Sequence, residues 1–155
     1  MTKVLFVCYG NICRSPMAEF MFKDIVKKNG TESDFYIESA ATSDEEVWNG
    51  VGNTVHHSAQ AEMRKHGISG FENKRARQIT RADYDKFDLI IGMEKMNVND
   101  MLRAFGGDPD NKVKRLLDYS DRPRDISDPW FTHKFDITYS DLEEGLNALY
   151  KKVMD

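Results

Sequence analysis

Two residues near the start of the chain, Cys8 and Arg14, have the types and the spacing of a thiol nucleophile and a phosphate clamp. Five residues separate them. A cysteine thiol held among backbone N–H groups ionises readily and can then attack an electrophile. The planar guanidinium of arginine binds two oxygens of a phosphate at once. The pair therefore indicates attack by a thiolate on a bound phosphoryl group.

The residues around this pair predict a strand, a loop and a helix. The apolar run at residues 4–7 predicts a buried strand, which Gly10-Asn11 ends. Ser15 as N-cap and Pro16 at the first helical position predict the start of a helix. Such a helix N-terminus binds phosphate-sized dianions through free N–H groups and its dipole. The predicted phosphate-binding loop consists of Tyr9, Gly10, Asn11, Ile12, Cys13, Arg14 and Ser15.

Each part of this pattern has an ordinary structural explanation when it stands alone. A lone cysteine after a strand is usually a small buried hydrophobic residue, and a Gly-Asn pair is usually only a turn. The conjunction of Cys-x5-Arg-Ser-Pro with a strand before it and a helix after it is far less expected by chance. We therefore favour the functional interpretation.

The composition is that of one ordinary globular domain of 155 residues, 40% hydrophobic and 31% charged. We find no repeat or linker and expect a single domain over residues 1–155. The net charge of -4 argues against nucleic-acid binding. No apolar run is long enough to span a membrane, and the first residues lead into a strand rather than a signal peptide. We therefore expect a cytoplasmic protein without a membrane partner.

The chain alternates predicted strands and helices. Strands are predicted over residues 4–7, 35–40, 89–93 and 113–117. Helices are predicted over residues 16–28, 55–66, 94–105 and 139–154. Residues 47–53 and 118–134 are predicted to be loops. This alternation is typical of a three-layer α/β/α fold with a central four-stranded parallel sheet, in which a ligand binds at the carboxyl ends of the strands.

Asp128 is a candidate general acid in the second predicted loop. A thiolate that displaces an alkoxide or phenoxide from phosphorus needs a proton donor near the leaving oxygen. Pro129 restricts the backbone of Asp128 to extended conformations, and two large aromatic residues, Trp130 and Phe131, follow it. A solvated or turn-forming acid is the alternative, and the residue pattern leaves both open.

The sequence resembles the low-molecular-weight protein tyrosine phosphatases. The segment around Cys8 is similar to their loop signature C-x-G-N-I-C-R-S-P. Further similar segments follow in the family's order over nearly the whole chain: Ser39-Ala40-Ala41-Thr42-Ser43, His66-Gly67-Ile68, Ala76-Arg77-Gln78-Ile79-Thr80, Phe87-Asp88 and Asp128-Pro129.

This resemblance implies hydrolysis of phosphotyrosine and aryl phosphate monoesters without a metal or cofactor. Cys8 would form a phosphocysteine intermediate, and Arg14 would clamp the phosphate. Asp128 would protonate the leaving tyrosine and then activate water. Inorganic phosphate would be product and inhibitor, and the protein would be a monomer or weak dimer.

The resemblance also implies supporting roles. Ser15 would donate a hydrogen bond to the sulfur of Cys8. Asn11 would hold the loop in an unusual conformation through a network with Ser39 and His66.

A deep substrate slot is expected, with walls formed by Tyr9, Ile12, Trp130 and Phe131. Such a slot favours phosphotyrosine, because a phosphoserine side chain is too short to reach Cys8. Trp48 either supplies a further wall or merely packs. The pair Glu45-Glu46 is expected to repel acidic peptides at the rim.

The second cysteine, Cys13, lies in the same loop, so the two cysteines form neither a disulfide scaffold nor a structural zinc site. A disulfide between Cys8 and Cys13 would protect Cys8 from irreversible oxidation. Cys13 is equally well explained as a small residue that fills space under the loop.

Three other functions use a similar loop. An arsenate reductase-like enzyme uses a relay of several cysteines, some far from the loop, and this chain has no cysteine beyond Cys13 for such a relay. Protein arginine phosphatases carry threonine where this loop has Ile12. A non-catalytic phosphate-binding module would need neither the thiol of Cys8 nor the acid of Asp128.

Overall fold

A four-stranded parallel sheet forms the centre of the computed structural model, which describes residues 1–155. The strands are β1 (Thr2–Cys8), β2 (Phe35–Ala41), β3 (Val47–Trp48), β4 (Val51–Gly52), β5 (Leu89–Gly92) and β6 (Val113–Arg115). The helices are α1 (Arg14–Lys28), α2 (His57–Lys65), α3 (Arg81–Lys86), α4 (Lys95–Phe105), α5 (Pro129–Thr132) and α6 (Phe135–Met154). The central sheet has the order β2-β1-β5-β6. The predicted α/β fold with a four-stranded parallel sheet is confirmed.

Strand β1 is apolar at successive positions because both of its faces are covered. Val4 and Phe6 belong to the core between the sheet, α1 and α6, whereas Leu5 and Val7 face α3 and α4. All four side chains are fully buried, and each contributes about 1.5–3 kcal/mol by its burial. The neighbours β2 and β5 pair with opposite edges of β1, so the strand order reverses there. The loop after β1 therefore lies where this kind of sheet binds ligands.

Helix α6 covers one face of the sheet with the stripe that its sequence predicts. Leu142, Leu146 and Leu149 are fully buried, and Tyr150 and Val153 pack partly buried against the same core. The helix begins at Phe135, earlier than the predicted start at Tyr139. No helix in the structure has the length and apolar character needed to span a membrane.

The predicted N-cap of the first helix is wrong. Helix α1 begins at Arg14 with Cys13 in the N-cap position, and no side chain caps it. The Ser15 hydroxyl instead bonds with groups of the loop, as described below. The capping rule considers only the residues that follow Ser15, so it could not reveal hydrogen bonds to Cys8 and Asn11, which precede it.

The two predicted loops contain secondary structure. Residues 47–53 include the antiparallel pair β3–β4, whose turn carries Asn49 (φ 50°) and Gly50 (φ 77°). Asn-Gly is a strong signal for such a hairpin, and the prediction missed it. The strand predicted over 113–117 ends at Arg115 and continues as a short 3-10 helix. Helix α5 then interrupts the second predicted loop.

Candidate active site

Cys8 lies at the carboxyl end of β1, next to the loop that leads into α1. Its sulfur accepts a hydrogen bond from the backbone N–H of Asn11 at 3.2 Å and lies 3.0 Å from Ser15 Oγ. The first turn of α1 contains no acidic residue, so its free N–H groups and the positive end of its dipole are uncompensated. The loop therefore offers an anion site beside the sulfur of Cys8.

Asn11 holds this loop in a conformation that few residues adopt. Its φ is 61°, in the left-handed region that asparagine enters more easily than most residues. Its Oδ1 accepts from the backbone N–H of Arg77 at 3.1 Å, and its Nδ2 donates to Ser15 Oγ at 2.8 Å and to Ser39 Oγ at 3.0 Å. Because the buried amide is bonded at both ends, the loop is fixed to β2 and to the segment before α3.

His66 does not join this network, contrary to what the resemblance implied. It lies at the end of α2, where its Nε2 is 3.1 Å from Glu62 Oε2. Its ring stacks on that of Tyr139 of α6, with centroids 3.7 Å apart. These contacts direct the side chain of His66 toward α6 rather than toward Asn11.

Arg14 is buried, with 2% of its surface exposed, and three oxygens orient its guanidinium. Its Nη1 donates to Ile126 O at 2.8 Å and lies 3.1 Å from Glu94 Oε2, and its Nη2 is 3.4 Å from Asp128 Oδ2. Burial opposes the charge on Arg14, but the negative charges of Cys8, Asp128 and Glu94 outweigh burial and raise the pKa of Arg14. A permanent cation therefore lies beside the nucleophile.

Asp128 is the N-cap of α5, a cap that the sequence did not predict. Its Oδ1 accepts from the backbone N–H of Trp130 at 3.0 Å, and Pro129 occupies the first helical position. Its other oxygen faces Arg14. The Trp130 ring packs edge-on against His56, with centroids 5.7 Å apart, which holds α5 beside the loop. The carboxyl group is thereby fixed in the lining of the cavity, beside Arg14.

These groups surround one cavity of about 180 Å³. Eleven residues line it, among them Cys8, Arg14, Asp128 and the predicted wall residues Tyr9, Ile12, Trp130 and Phe131. Trp48 is not among them. Its side chain is 78% exposed on the β3–β4 hairpin, so the interpretation of Trp48 as a wall is wrong.

Two carboxylates, Glu45 and Glu46, lie at the mouth of the cavity, and each accepts a hydrogen bond from a neutral side chain. The Tyr9 hydroxyl donates to Glu45 Oε1 at 2.8 Å, and this hydrogen bond is the main cause that raises the pKa of Tyr9. The side-chain amide of Asn53 donates to Glu46 Oε2 at 2.7 Å. Both acids line the cavity, as the sequence predicted for the rim, and neither forms a salt bridge.

Cys13 also lines the cavity, and both cysteines are free thiols. Only 5% of the surface of Cys13 is exposed. Burial, followed by the charge on Cys8, raises the pKa of the Cys13 thiol, so Cys13 is protonated at neutral pH. The two cysteines therefore differ in environment: one receives hydrogen bonds at the base of an anion site, and the other is a buried neutral thiol.

Sequence reasoning missed several residues that support the loop. Glu94 directly follows Met93 after strand β5, so the rule that sites form at the carboxyl ends of strands could have found it. Glu19 accepts a hydrogen bond from Ser39 Oγ at 2.6 Å, and Lys74 Nζ donates to Ser39 O at 2.8 Å. No local pattern marks these two residues, because their contacts join distant parts of the chain.

Comparison with known proteins gives one consistent family. The family model for low molecular weight phosphotyrosine protein phosphatase matches residues 3–155. The low molecular weight protein-tyrosine-phosphatase YfkJ of Bacillus subtilis is 37% identical over 155 residues, which cover 99% of this chain and 96% of YfkJ. The low molecular weight phosphotyrosine protein phosphatase of Gallus gallus is 40% identical, covering 96% and 94% of the two chains.

Solved structures agree with these sequence matches. The crystal structure of YfkJ has a TM-score of 0.93 at 36% identity, covering 99% of this chain and 95% of the other. The crystal structure of SP-PTP, a low molecular weight protein tyrosine phosphatase from Streptococcus pyogenes, has a TM-score of 0.88 at 37% identity, covering 100% and 95%.

Proposed function

This chain belongs to the low molecular weight phosphotyrosine protein phosphatase family, and we propose that Cys8, Arg14 and Asp128 carry out its chemistry within one domain over residues 1–155. The protein is a cysteine-dependent phosphatase that hydrolyses phosphotyrosine in phosphoproteins, or aryl phosphates. The convergence of a hydrogen-bonded thiol, a buried guanidinium and a carboxyl group on one cavity carries the proposal.

In the first step the phosphate dianion binds between the N–H groups of the loop and the guanidinium of Arg14. Glu94 and Ile126 occupy Nη1 of Arg14, and Asp128 faces one hydrogen of Nη2. Nε and the second hydrogen of Nη2 remain for two phosphate oxygens. The sulfur of Cys8 attacks phosphorus as the bond from phosphorus to the tyrosine oxygen breaks. Asp128 gives its proton to that oxygen, so tyrosine leaves as a neutral phenol.

In the second step water hydrolyses the phosphocysteine. The Asp128 carboxylate takes a proton from water, the water oxygen attacks phosphorus, and the sulfur–phosphorus bond breaks. Cys8 leaves as a thiolate, and a hydrogen bond from the Ser15 hydroxyl at 3.0 Å stabilises the charge on sulfur. Inorganic phosphate remains in the site, where it acts as a competitive inhibitor.

The aromatic walls account for the preference for an aryl ester. The rings of Tyr9, Trp130 and Phe131 flank the path to Cys8 and contact an aromatic leaving group through its faces. Arginine phosphatase activity, arsenate reduction and phosphate binding without turnover are not favoured, since the family model and the relatives from Bacillus subtilis and Gallus gallus are tyrosine phosphatases. A solved arginine phosphatase from Drosophila has the same fold, but it is less similar in sequence, at 30% identity.

A redox role for Cys13 extends the proposal. Peroxide oxidises the Cys8 thiolate to a sulfenic acid, and the Cys13 thiol condenses with it to a disulfide and water. Both thiols line one cavity, which supports this reaction. Because the thiol of Cys8 must be reduced for catalysis, we place the protein in the reducing cytoplasm. We also propose that it is a monomer or a weak dimer.

Two substitutions test the proposed roles. Cys8→Ser retains the anion site but has no usable nucleophile, so it binds inorganic phosphate while its turnover of p-nitrophenyl phosphate falls to background. Asp128→Asn retains the nucleophile and loses the proton donor. Turnover by Cys8→Ser at more than a few per cent of the wild-type rate would refute the assignment of the nucleophile.

A further inference from the structure

A continuous chain of hydrogen bonds links the sulfur of Cys8 to a buried carboxylate on α1. Ser15 Oγ lies 3.0 Å from the sulfur and accepts from Asn11 Nδ2 at 2.8 Å. The same amide nitrogen donates to Ser39 Oγ at 3.0 Å, and Ser39 Oγ donates to Glu19 Oε1 at 2.6 Å. The four polar residues of this chain are each 4% exposed or less, so water does not interrupt it: Asn11, Ser15, Glu19 and Ser39.

Two groups fix the directions of the hydrogen bonds in this chain. The amide nitrogen of Asn11 only donates, and its orientation is set by the Arg77 N–H, which donates to Asn11 Oδ1 at 3.1 Å. The carboxylate of Glu19 fixes the hydrogen of Ser39. An ionised Glu19 only accepts hydrogen bonds, so the single hydroxyl hydrogen of Ser39 must be donated to it. The oxygen of Ser39 is then free to accept from Asn11, whose second amide hydrogen goes to Ser15. Ser15 therefore receives a hydrogen bond and keeps its own hydrogen for the sulfur of Cys8.

One other acceptor competes for that hydrogen. The backbone oxygen of Ala40 lies 3.3 Å from Ser15 Oγ, against 3.0 Å for the sulfur. A thiolate accepts more strongly than a neutral carbonyl, because hydrogen bonds to charged groups are the stronger class. The Ser15 hydroxyl therefore donates to the sulfur, and the hydrogen bond from Asn11 holds the Ser15 oxygen within reach of it.

Two lysines compensate the charge that this arrangement requires on Glu19. Lys74 Nζ lies 3.6 Å from Glu19 Oε1 and also donates to the backbone oxygen of Ser39 at 2.8 Å. Lys23 Nζ lies 2.6 Å from Glu19 Oε2. Lys74 is largely buried, with 13% of its side chain exposed, whereas Lys23 reaches solvent with 43% exposed. A buried carboxylate without such partners is strongly unfavourable.

We propose that Glu19, with its charge supported by Lys74, is a positioning residue. By accepting the hydrogen of Ser39 it keeps the Ser39 oxygen as an acceptor for Asn11, and it thereby holds the Asn11 amide that positions the Ser15 hydroxyl at the sulfur of Cys8. Neither Glu19 nor Lys74 touches the cavity. The proposal rests on the proposed role of Cys8 as nucleophile.

Glu19→Gln is the direct test, because it keeps the shape of the side chain and adds an N–H donor that competes with Asn11 for the oxygen of Ser39. The readout is the pH profile of Cys8 alkylation by iodoacetamide, in a Cys13→Ser background that leaves one cysteine. We expect the midpoint of the profile to rise by about one pH unit on loss of a hydrogen bond to a charged sulfur. The kcat for p-nitrophenyl phosphate should fall about tenfold, with a much smaller change in KM.

Asp24→Asn is the matched control. Asp24 lies on the same helix and pairs with Lys28 at 2.8 Å, as Glu19 pairs with Lys23, but it takes no part in the chain. The midpoint of Cys8 alkylation in Asp24→Asn should equal that of the Cys13→Ser protein with no further substitution. A shift as large as that of Glu19→Gln would mean that any acid on α1 has this effect, and it would overturn the proposal.

Ser39→Ala interrupts the same chain at its centre and serves if Glu19→Gln does not fold. It should raise the midpoint similarly, and the double variant should shift no further than either single variant, because both break one path. Lys74→Met should also raise the midpoint of Cys8 alkylation. Lys74→Arg, which keeps the positive charge, should have a midpoint close to that of the Cys13→Ser background.

The failure of this proposal is distinguishable from that of the proposed function. A folded Glu19→Gln, or a folded Ser39→Ala, with an unshifted midpoint would overturn the positioning role and leave the phosphatase assignment intact. If alkylation of Cys8 in the unsubstituted background left turnover unchanged, the role of Cys8 itself would be refuted.

Discussion

Replacing Arg14 by lysine keeps the charge at the cavity and removes the planar fork. The guanidinium is 2% exposed and is oriented by Glu94, Ile126 and Asp128 at 3.1, 2.8 and 3.4 Å. A lysine ammonium is a single point of charge and cannot contact two phosphate oxygens in the same geometry.

The size of the effect follows from how many hydrogen bonds to phosphate each substitution removes. A hydrogen bond to a charged group contributes about 1.5–3 kcal/mol. Arg14→Lys removes one of the two, which costs about 2 kcal/mol, or about a thirtyfold loss of kcat/KM. Arg14→Ala removes both, which costs about 4 kcal/mol, or about a thousandfold loss of kcat/KM.

The assay is steady-state hydrolysis of p-nitrophenyl phosphate together with the inhibition constant for inorganic phosphate. Both kcat/KM and phosphate affinity should fall in the order wild type, Arg14→Lys, Arg14→Ala. Arg124→Lys is the matched control, because this arginine pairs with Glu144 and Asp141 away from the cavity. A folded Arg14→Lys with kcat/KM within threefold of the wild type would refute the bidentate role of the guanidinium.

Four further results are expected from this site. Asp128→Asn should lower the rate for phenyl phosphate by about 10²–10⁴-fold but have a smaller effect on p-nitrophenyl phosphate, whose leaving group needs less protonation; equal losses would exclude an acid role. After peroxide treatment and thiol reduction, the wild type should regain more activity than Cys13→Ser, and equal recovery would disprove a protective Cys8–Cys13 disulfide. Phosphoserine peptides should be hydrolysed far more slowly than phosphotyrosine peptides, and comparable rates would contradict a deep slot. Trp48→Ala should hydrolyse p-nitrophenyl phosphate at the wild-type rate, since Trp48 lies outside the cavity, and a tenfold loss would contradict its placement.

The sequence predicted those features that a short segment determines by itself. The short apolar run at residues 4–7 predicted a buried strand, and the apolar stripe of α6 predicted one packed face; the structure has both. The spacing of Cys8 and Arg14 around a helix N-terminus likewise predicted an anion site. These patterns depend on neighbouring residues, so no knowledge of the rest of the fold is needed.

Most features that the sequence did not predict depend on contacts between distant segments. Ser15 is an exception: its place before Pro16 predicted an N-cap, but its hydroxyl bonds with the nearby sulfur of Cys8 and amide of Asn11. His66 matches a family segment, yet stacking on Tyr139 directs it away from the loop. Glu19 and Lys74 reach the site from separate elements, so their sequence positions carry no signal, whereas the position of Glu94 after strand β5 does.

Acid-quenched mixing of the enzyme with p-nitrophenyl phosphate tests the central claim most directly. The account predicts a burst of p-nitrophenol close to one equivalent per enzyme in Asp128→Asn, where hydrolysis of the intermediate is slow, and one phosphoryl group on the peptide that contains Cys8. Cys8→Ser should show neither the burst nor the adduct. Linear product formation without an adduct, or a phosphoryl group on another residue, would contradict the account.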